Sequence, residues 1–393
     1  MMSNSLETLV KYVRQAGGWL PFDRFMALAL YSPGWGYYAS ASPKFGAMPA
    51  SGSDFVTAPE LCPAFGRALA RQVAQALVAS GTQEVWEFGG GSGALAQQVL
   101  QQLQADGVAL ARYTLVELSA HLRWRQQQRL ADFAPRVHWA EALPEQMQGV
   151  ILGNEVLDAM PVQLLLRRDG VWYERGVVLA GAEAEAGAGA PEPTLLRPVQ
   201  GAGAAPLADA APAFAWSDRA TDLRPPLKIA GTHEYLCEIH PQAEAFIATL
   251  AERWQRGVAF FIDYGFPEAE YYHPQRSSGT LMCHRAHRAD ADPLVDVGLK
   301  DITAHVNFTG IALAAQQAGL QVLGYTSQGR FLLNAGLLDG ADGWPLADRA
   351  AAARLVNEHE MGELFKVLAL APATLPAGWL PTGLLTGDRT HRL

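Results

Sequence analysis

Residues 87–93, Glu-Phe-Gly-Gly-Gly-Ser-Gly, constrain this chain more than any other stretch. The apolar pair Val85 and Trp86 leads into it, and the run from Ala94 to Leu103 leaves it with helical periodicity. The pattern is strand, glycine turn, helix. Glycines let the backbone reverse sharply and let a ligand approach without meeting a Cβ. The helix N-terminus beyond them offers free N–H groups. Such a unit belongs to an α/β fold with a ligand at the turn. The glycines alone do not choose that ligand, because Gly89-x-Gly91-x-x-Ala94 also fits the loose dinucleotide fingerprint.

Glu87 is the discriminator. A carboxylate at the strand end repels a pyrophosphate and attracts a cationic ligand. S-adenosylmethionine carries a sulfonium and an ammonium, and the turn Gly89, Gly91, Gly93 with its acidic lead residue resembles motif I of class I methyltransferases. Glu117 ends the next apolar run and lies 24 residues beyond Gly93, a spacing suited to a carboxylate on ribose hydroxyls. The competing reading of the pair is a surface glutamate behind a strand and a flexible turn.

At 393 residues the chain has room for one large domain with additions. Its net charge of −9 and lack of a basic stripe argue against nucleic-acid binding. A mildly acidic surface suits basic protein partners. Cys62, Cys237 and Cys283 are far apart and read as reduced thiols. No secretory h-region and no apolar run of membrane-spanning length is present in the sequence. A cytoplasmic location without a membrane partner is therefore expected.

Periodicity predicts helices over 6–19, 21–30, 59–80, 236–256 and 301–319. Strands are predicted at 84–88, 113–118, 136–139, 149–153, 258–264, 321–326 and 364–370, and a hairpin over 164–179 turning at Asp169-Gly170. The Ala/Gly/Pro-rich stretch 180–212 reads as a long loop. The expected architecture is α/β, a doubly wound, mostly parallel sheet with an N-terminal helical extension and an insertion between strands four and five. The divisions are 1–80 (helical, over the substrate side), 81–163 (first half of the core), 164–256 (insertion), 257–371 (second half) and 372–393 (tail).

Several blocks together carry a resemblance: residues 25–38 (FMALALYSPGWGYY), 53–60 (SDFVTAPE), 153–162 (GNEVLDAMPV), 263–267 (DYGFP) and 301–308 (DITAHVNF). In these the chain resembles the MidA family of SAM-dependent methyltransferases, which includes the mitochondrial complex I assembly methyltransferase. The likeness runs from about Leu6 to Leu370, leaving out 180–212. It implies the class I, Rossmann-like methyltransferase fold, S-adenosylmethionine as cofactor and S-adenosylhomocysteine as product. The mitochondrial members are linked to symmetric dimethylation of an arginine on a complex I subunit. The resemblance thus implies a protein arginine N-methyltransferase, with a respiratory complex I subunit as a candidate substrate, and leaves a homodimer open. Asn307 stands where an aspartate is expected, and Ser53 where a glycine is expected. Two rivals remain, an assembly factor with a vestigial SAM site and a dinucleotide-dependent oxidoreductase. The intact glycines and Glu117 speak against the first, Glu87 and the acidic residues after the fourth strand against the second.

Asn154, Glu155 and Asp158 follow the fourth strand, where the carboxyl ends of an open sheet line a ligand crevice. Asn154 is assigned to the cofactor. Glu155 and Asp158 could hold a guanidinium by bidentate hydrogen bonds, as a comparable acidic pair does in another arginine methyltransferase family. Their plainer reading is a helix cap and a first-turn charge. Thr57 and Pro59 are placed near the methionine end of the cofactor, or else form the N-cap loop of the helix starting at Pro59. Leu118 is assigned to the cofactor, and Glu141 and Ala142 are placed at the adenine, with Glu141 otherwise a surface acid. His305 is read as a donor or base opening a helix, or as a structural histidine. Cys283-His284-x-x-His287 offers too few ligands for a metal, and none is assigned. Tyr31, Trp35, Tyr37 and Tyr38 are either a wall that stacks on a guanidinium or core packing.

Overall fold

A computed structural model describes residues 2–40, 56–181 and 214–393. Ser53 and nearly all of 180–212 lie outside the described residues. The central sheet is built from β1 (Glu84–Phe88), β2 (Arg112–Val116), β3 (Val137–Ala140), β4 (Val150–Asn154), β5 (Ala259–Phe266), β6 (Leu320–Ser327) and β7 (Phe365–Pro372). Their order is β6-β7-β5-β4-β1-β2-β3, with the short Val306–Asn307 pairing off β5. β1 to β5 pair in parallel, and β7 runs antiparallel to both β5 and β6. The result is an α/β fold on a mixed sheet.

Both faces of this sheet are covered, so its strands are nearly continuous apolar runs; all of β7 is buried. Strand periodicity divides each run between two cores. Val85, Leu115, Leu152 and Ile262 pack with Phe65, Val99, Phe331 and Leu355 from helices on one face. Trp86, Ile151 and Phe261 pack with Ile247 and Leu250 of Pro241–Arg253 and Ile311 of Phe308–Gln317 on the other. From β1 the chain winds outward through β2 and β3, then returns to β4 on the opposite side of β1. The crossovers diverge at β1 and β4, which opens a crevice at the carboxyl ends of these strands.

Between β4 and β5 the chain forms a second, antiparallel sheet. Gln163–Arg168 and Val171–Leu179 make a hairpin, flanked by Tyr235–Ile239, Phe214–Ala220 and the N-terminal Trp19–Pro21. Asp169 and Gly170 both have positive φ (51° and 77°), the geometry of a tight two-residue hairpin turn. Helices Met2–Gln15 and Phe22–Tyr31 lay Leu9, Val13, Phe22, Phe25 and Met26 against Leu164 and Val177 of this sheet. A small sheet of Met282–Arg285, Arg288–Asp290 and Asp301–Thr303 lies beyond β5.

Three predicted helices differ. The one over 59–80 is broken into Ala58–Leu61 and Pro63–Ser80, because Pro63 forces the preceding Cys62 into extended backbone (φ −150°, ψ 119°). Over 236–256 only Pro241–Arg253 is helical; Tyr235–Ile239 joins the hairpin edge, and a short apolar run does not reveal its period. Over 301–319 the helix begins only at Phe308, where Asn307 caps it by accepting the Gly310 N–H at 3.3 Å. An asparagine serves that cap as an aspartate would. His305 therefore precedes the helix and does not open it.

Candidate active site

The crevice is a cavity of about 1050 Å³. On the β1 side it is walled by the glycine turn. Gly89 and Gly91 line it with φ of 63° and 51°, backbone that L side chains rarely adopt. A Cβ on Gly89 would also come within 3.0 Å of Val156 Cγ2. Gly93 does not line the cavity. It sits in left-handed conformation (φ 82°) at the start of Ala94–Ala105 and packs on Gln126, so it shapes the turn without facing a ligand. Ser92 donates to Glu60 and accepts from Arg129 at 2.9 Å, which ties the turn to the Ala58–Leu61 helix.

Glu87 lines the cavity but is almost fully buried, and its carboxyl accepts from the Tyr113 hydroxyl. Burial pushes its pKa up to about 7, with the Tyr113 hydrogen bond opposing. Glu117, at the end of β2, accepts from the Ser119 N–H (2.8 Å) and from Gln126 Nε2 (3.1 Å). Burial raises its pKa as well. Leu118 and Ala142 line the same end, and Glu141 lines it while paired with Arg123 at the surface. Thr57 and Pro59 are also in the wall. Thr57 occupies the N-cap position of Ala58–Leu61, but its hydroxyl caps nothing.

Asn154, Glu155 and Asp158 line the cavity from the end of β4. No helix follows them, so the capping alternative for Asp158 and the first-turn alternative for Glu155 do not hold. Glu155 instead has φ 53°, a non-glycine residue in the left-handed region, a conformation that costs on the order of 1–3 kcal/mol. Asn154 Nδ2 donates to Glu155 Oε1 at 3.2 Å. Asp158 Oδ2 accepts from the Tyr264 hydroxyl at 2.5 Å, whereas its Oδ1 is buried without a partner, as is Asn154 Oδ1. Burial, then the charge of Asp158, raises Glu155 to about 8; burial raises Asp158 to about 6, opposed by the Tyr264 hydrogen bond.

His305 lines the cavity with its ring edge-on to Tyr264 (5.1 Å) and Phe266 (5.2 Å). Its Nδ1 is buried without a partner, and burial depresses its pKa to about 4, so it is neutral at pH 7. Tyr31 and Tyr38 line the cavity as a stacked pair 5.6 Å apart, donating to Ala159 O and Asp301 Oδ1, each at 2.8 Å. Tyr37 belongs to the core under the N-terminal helices, and Trp35 packs against the same core. Cys283 is in that core too, whereas His284 lines the cavity, so the two do not converge.

The sequence reading missed Tyr113 and Gln126 as parts of the site and did not join Tyr38 to Asp301. Asp263 Oδ2 accepts from the N–H groups of Val156 (3.1 Å), Leu157 (2.9 Å) and Asp158 (3.2 Å). Asp263 directly follows Ile262, the last residue of β5 paired with β4. The described lining carries Glu87, Glu117, Glu141, Glu155, Asp158 and Asp301 and no lysine or arginine. Such a wall selects for cationic ligands.

A crystal structure of a COG1565 superfamily member from Burkholderia thailandensis, bound to S-adenosyl-homocysteine, matches with TM-score 0.87 and 44% identity, covering 100% of this chain and 97% of that one. The mitochondrial protein arginine methyltransferase NDUFAF7 homolog of Drosophila melanogaster is 28% identical over 92% of this chain and 83% of its own length. Mitochondrial protein arginine methyltransferase NDUFAF7 of Danio rerio is 25% identical over 90% and 84%. These relatives are named mitochondrial, which overturns the expected cytoplasmic location. The model of the S-adenosyl-L-methionine-dependent methyltransferase family matches residues 68–326, and the chain belongs to that family.

Proposed function

We propose that this methyltransferase acts on a guanidinium nitrogen of an arginine in a protein. The observation that carries the reading is the buried, unpartnered Asp158 Oδ1 beside Glu155, in a cavity whose described lining holds no lysine or arginine. The names of the curated relatives agree with it. A respiratory complex I subunit is the candidate substrate protein. We read the fold as class I and doubly wound, and the antiparallel sheet between β4 and β5 as an insertion that brings the N-terminal helices to the crevice.

S-adenosylmethionine, when bound, supplies a methyl group already activated on a sulfonium. The residues present fit it: an acid-lined cavity, and a glycine turn where a Cβ on Gly89 would crowd Val156. Glu117 is assigned to the ribose, Leu118, Glu141 and Ala142 to the adenine, and Thr57, Pro59, Asn154 and Glu87 to the methionine end beside Gly89 and Gly91. Glu155 and Asp158 hold the guanidinium and aim one nitrogen at the methyl carbon, so that catalysis rests on orientation. The nitrogen that gains the methyl gives up a proton. Glu155, raised to about 8 without ligand, is ionised by a guanidinium seated beside it, and in that form it takes the proton. His305, held near 4, is a poor acceptor and serves as a neutral wall and donor.

The test is methyl transfer from labelled S-adenosylmethionine to arginine, lysine and histidine peptides, followed by proteomics of methylarginine in cells with and without the protein. Label on arginine alone, with matching sites lost from the deleted cells, is expected. Transfer to lysine or histidine in preference to arginine sinks the proposal.

A further inference from the structure

We propose that Asp263 and Tyr264, at the end of β5, are the positioning residues of the Glu155–Asp158 pair, Asp263 through the backbone and Tyr264 through the Asp158 side chain. This rests on the reading of that pair as the guanidinium clamp.

Asp263 is buried and is not part of the cavity wall; it meets the site through the turn after β4. One of its oxygens collects three successive N–H groups, those of residues 156, 157 and 158, at 2.9–3.2 Å. Glu155 N–H donates to Ile262 O at 2.9 Å just before. Together these contacts hold the turn whose first residue sits at φ 53°. A conformation that unfavourable persists only where its surroundings over-determine it. The backbone that aims both carboxyls is therefore set from β5.

Tyr264 acts on the other end of the pair. Its hydroxyl takes Asp158 Oδ2 at 2.5 Å, leaving Oδ1 as the oxygen without a partner. Its ring is fixed edge-on between His305 (5.1 Å) and Phe365 (5.4 Å), so the hydroxyl has little freedom. A charge-assisted hydrogen bond of this kind favours the ionised carboxyl. The groups that face Asp158 are Glu155 on its own turn, Asp263 and Tyr264 on β5, Tyr31 on Phe22–Tyr31 and Tyr38 in the loop after it. After burial, the Tyr264 hydrogen bond acts most on Asp158 and favours its charged form, ahead of the nearby backbone N–H groups, so its loss leaves Asp158 more protonated at neutral pH.

The experiment uses the full chain, an arginine peptide that it methylates, and calorimetry for S-adenosylmethionine. Tyr264→Phe should keep cofactor affinity within about twofold, lower kcat/KM about tenfold, and move the acid limb of the kcat/KM profile to higher pH. Added to Asp158→Asn, it should cost nothing further, because its effect runs through Asp158. Multiplying losses, or full activity in Tyr264→Phe beside a crippled Asp158→Asn, overturns the role of Tyr264. Full activity in Asp158→Asn itself overturns the clamp, and this inference with it. Asp263→Asn keeps an oxygen for the same three N–H groups and gives up only the bond that its Oδ1 accepts from the Tyr264 N–H at 3.0 Å, so it should retain most of the turnover, whereas Asp263→Ala should lose about tenfold with cofactor affinity kept. Equal losses in the two would mean that charge, not the acceptor, matters, and would overturn the role of Asp263.

Discussion

Gln126 and Glu117 share a hydrogen bond of 3.1 Å, Nε2 to Oε2, and the same amide nitrogen also donates to the Gly91 carbonyl at 2.9 Å. Its Oε1 accepts from Trp139 Nε1 at 2.9 Å, so a fully buried amide joins the glycine turn, the β2 carboxylate and β3. Gln126→Leu keeps the volume and removes all three bonds. S-adenosylmethionine should then bind about tenfold more weakly, corresponding to 1.4 kcal/mol. Calorimetry checks this, and an unchanged dissociation constant would show that the turn and Glu117 hold their places without Gln126.

Glu117→Ala should weaken cofactor binding by about 1–3 kcal/mol through lost charge-assisted hydrogen bonds. Gly91→Val, at φ 51°, should abolish binding in a folded protein. Circular dichroism establishes the fold, and wild-type affinity in either folded variant would remove that residue from the cofactor site.

Glu155→Gln and Asp158→Asn should each bind S-adenosylmethionine normally and lose at least about tenfold in kcat/KM toward an arginine peptide. The amides keep the shape and lose the charge. Near-wild-type turnover in both leaves these residues with other roles.

The raised pKa of Glu155 also marks stability. The folded protein holds the proton up to about pH 8, whereas an unfolded glutamate releases it near 4.5. This contribution to stability is present below about 4.5 and is lost as pH rises through 8. Glu155→Gln removes the titration. Without ligand, its melting temperature should exceed that of the wild type by a few degrees at pH 9 and match it at pH 4. A parallel pH dependence in both proteins would place the buried proton elsewhere.

Much of the central sheet was legible, because strand, glycine turn and helix each carry a local signal, and because Val85, Leu115 and Val150 lie in short apolar runs with one period. The second sheet was half legible. Asp169-Gly170 announces its hairpin, but Trp19–Pro21 and Tyr235–Ile239 become strands only by pairing with residues far along the chain. The site follows the same division. Glu87, Glu117, Glu155 and Asp158 were singled out from their places at strand ends, and all four line the cavity. Tyr113, Gln126 and Asp263 act through partners 26, 9 and more than 100 residues away. No spacing rule encodes such contacts, and Gln126 lies on a helix otherwise rich in glutamine and arginine.

The single sign of the cavity wall bears on what happens after each turnover. The wall, among its described residues, has carboxyl groups and no compensating lysine or arginine. S-adenosylmethionine brings a sulfonium charge to it, and S-adenosylhomocysteine leaves without one. The Coulomb attraction that draws the donor in is thus weaker for the spent form, by an amount set by local screening. Charge alone thus favours the donor over the spent form, without any moving part. Because Glu87, assigned to the methionine end, titrates near 7, that preference for donor over spent form grows as the solution becomes more alkaline.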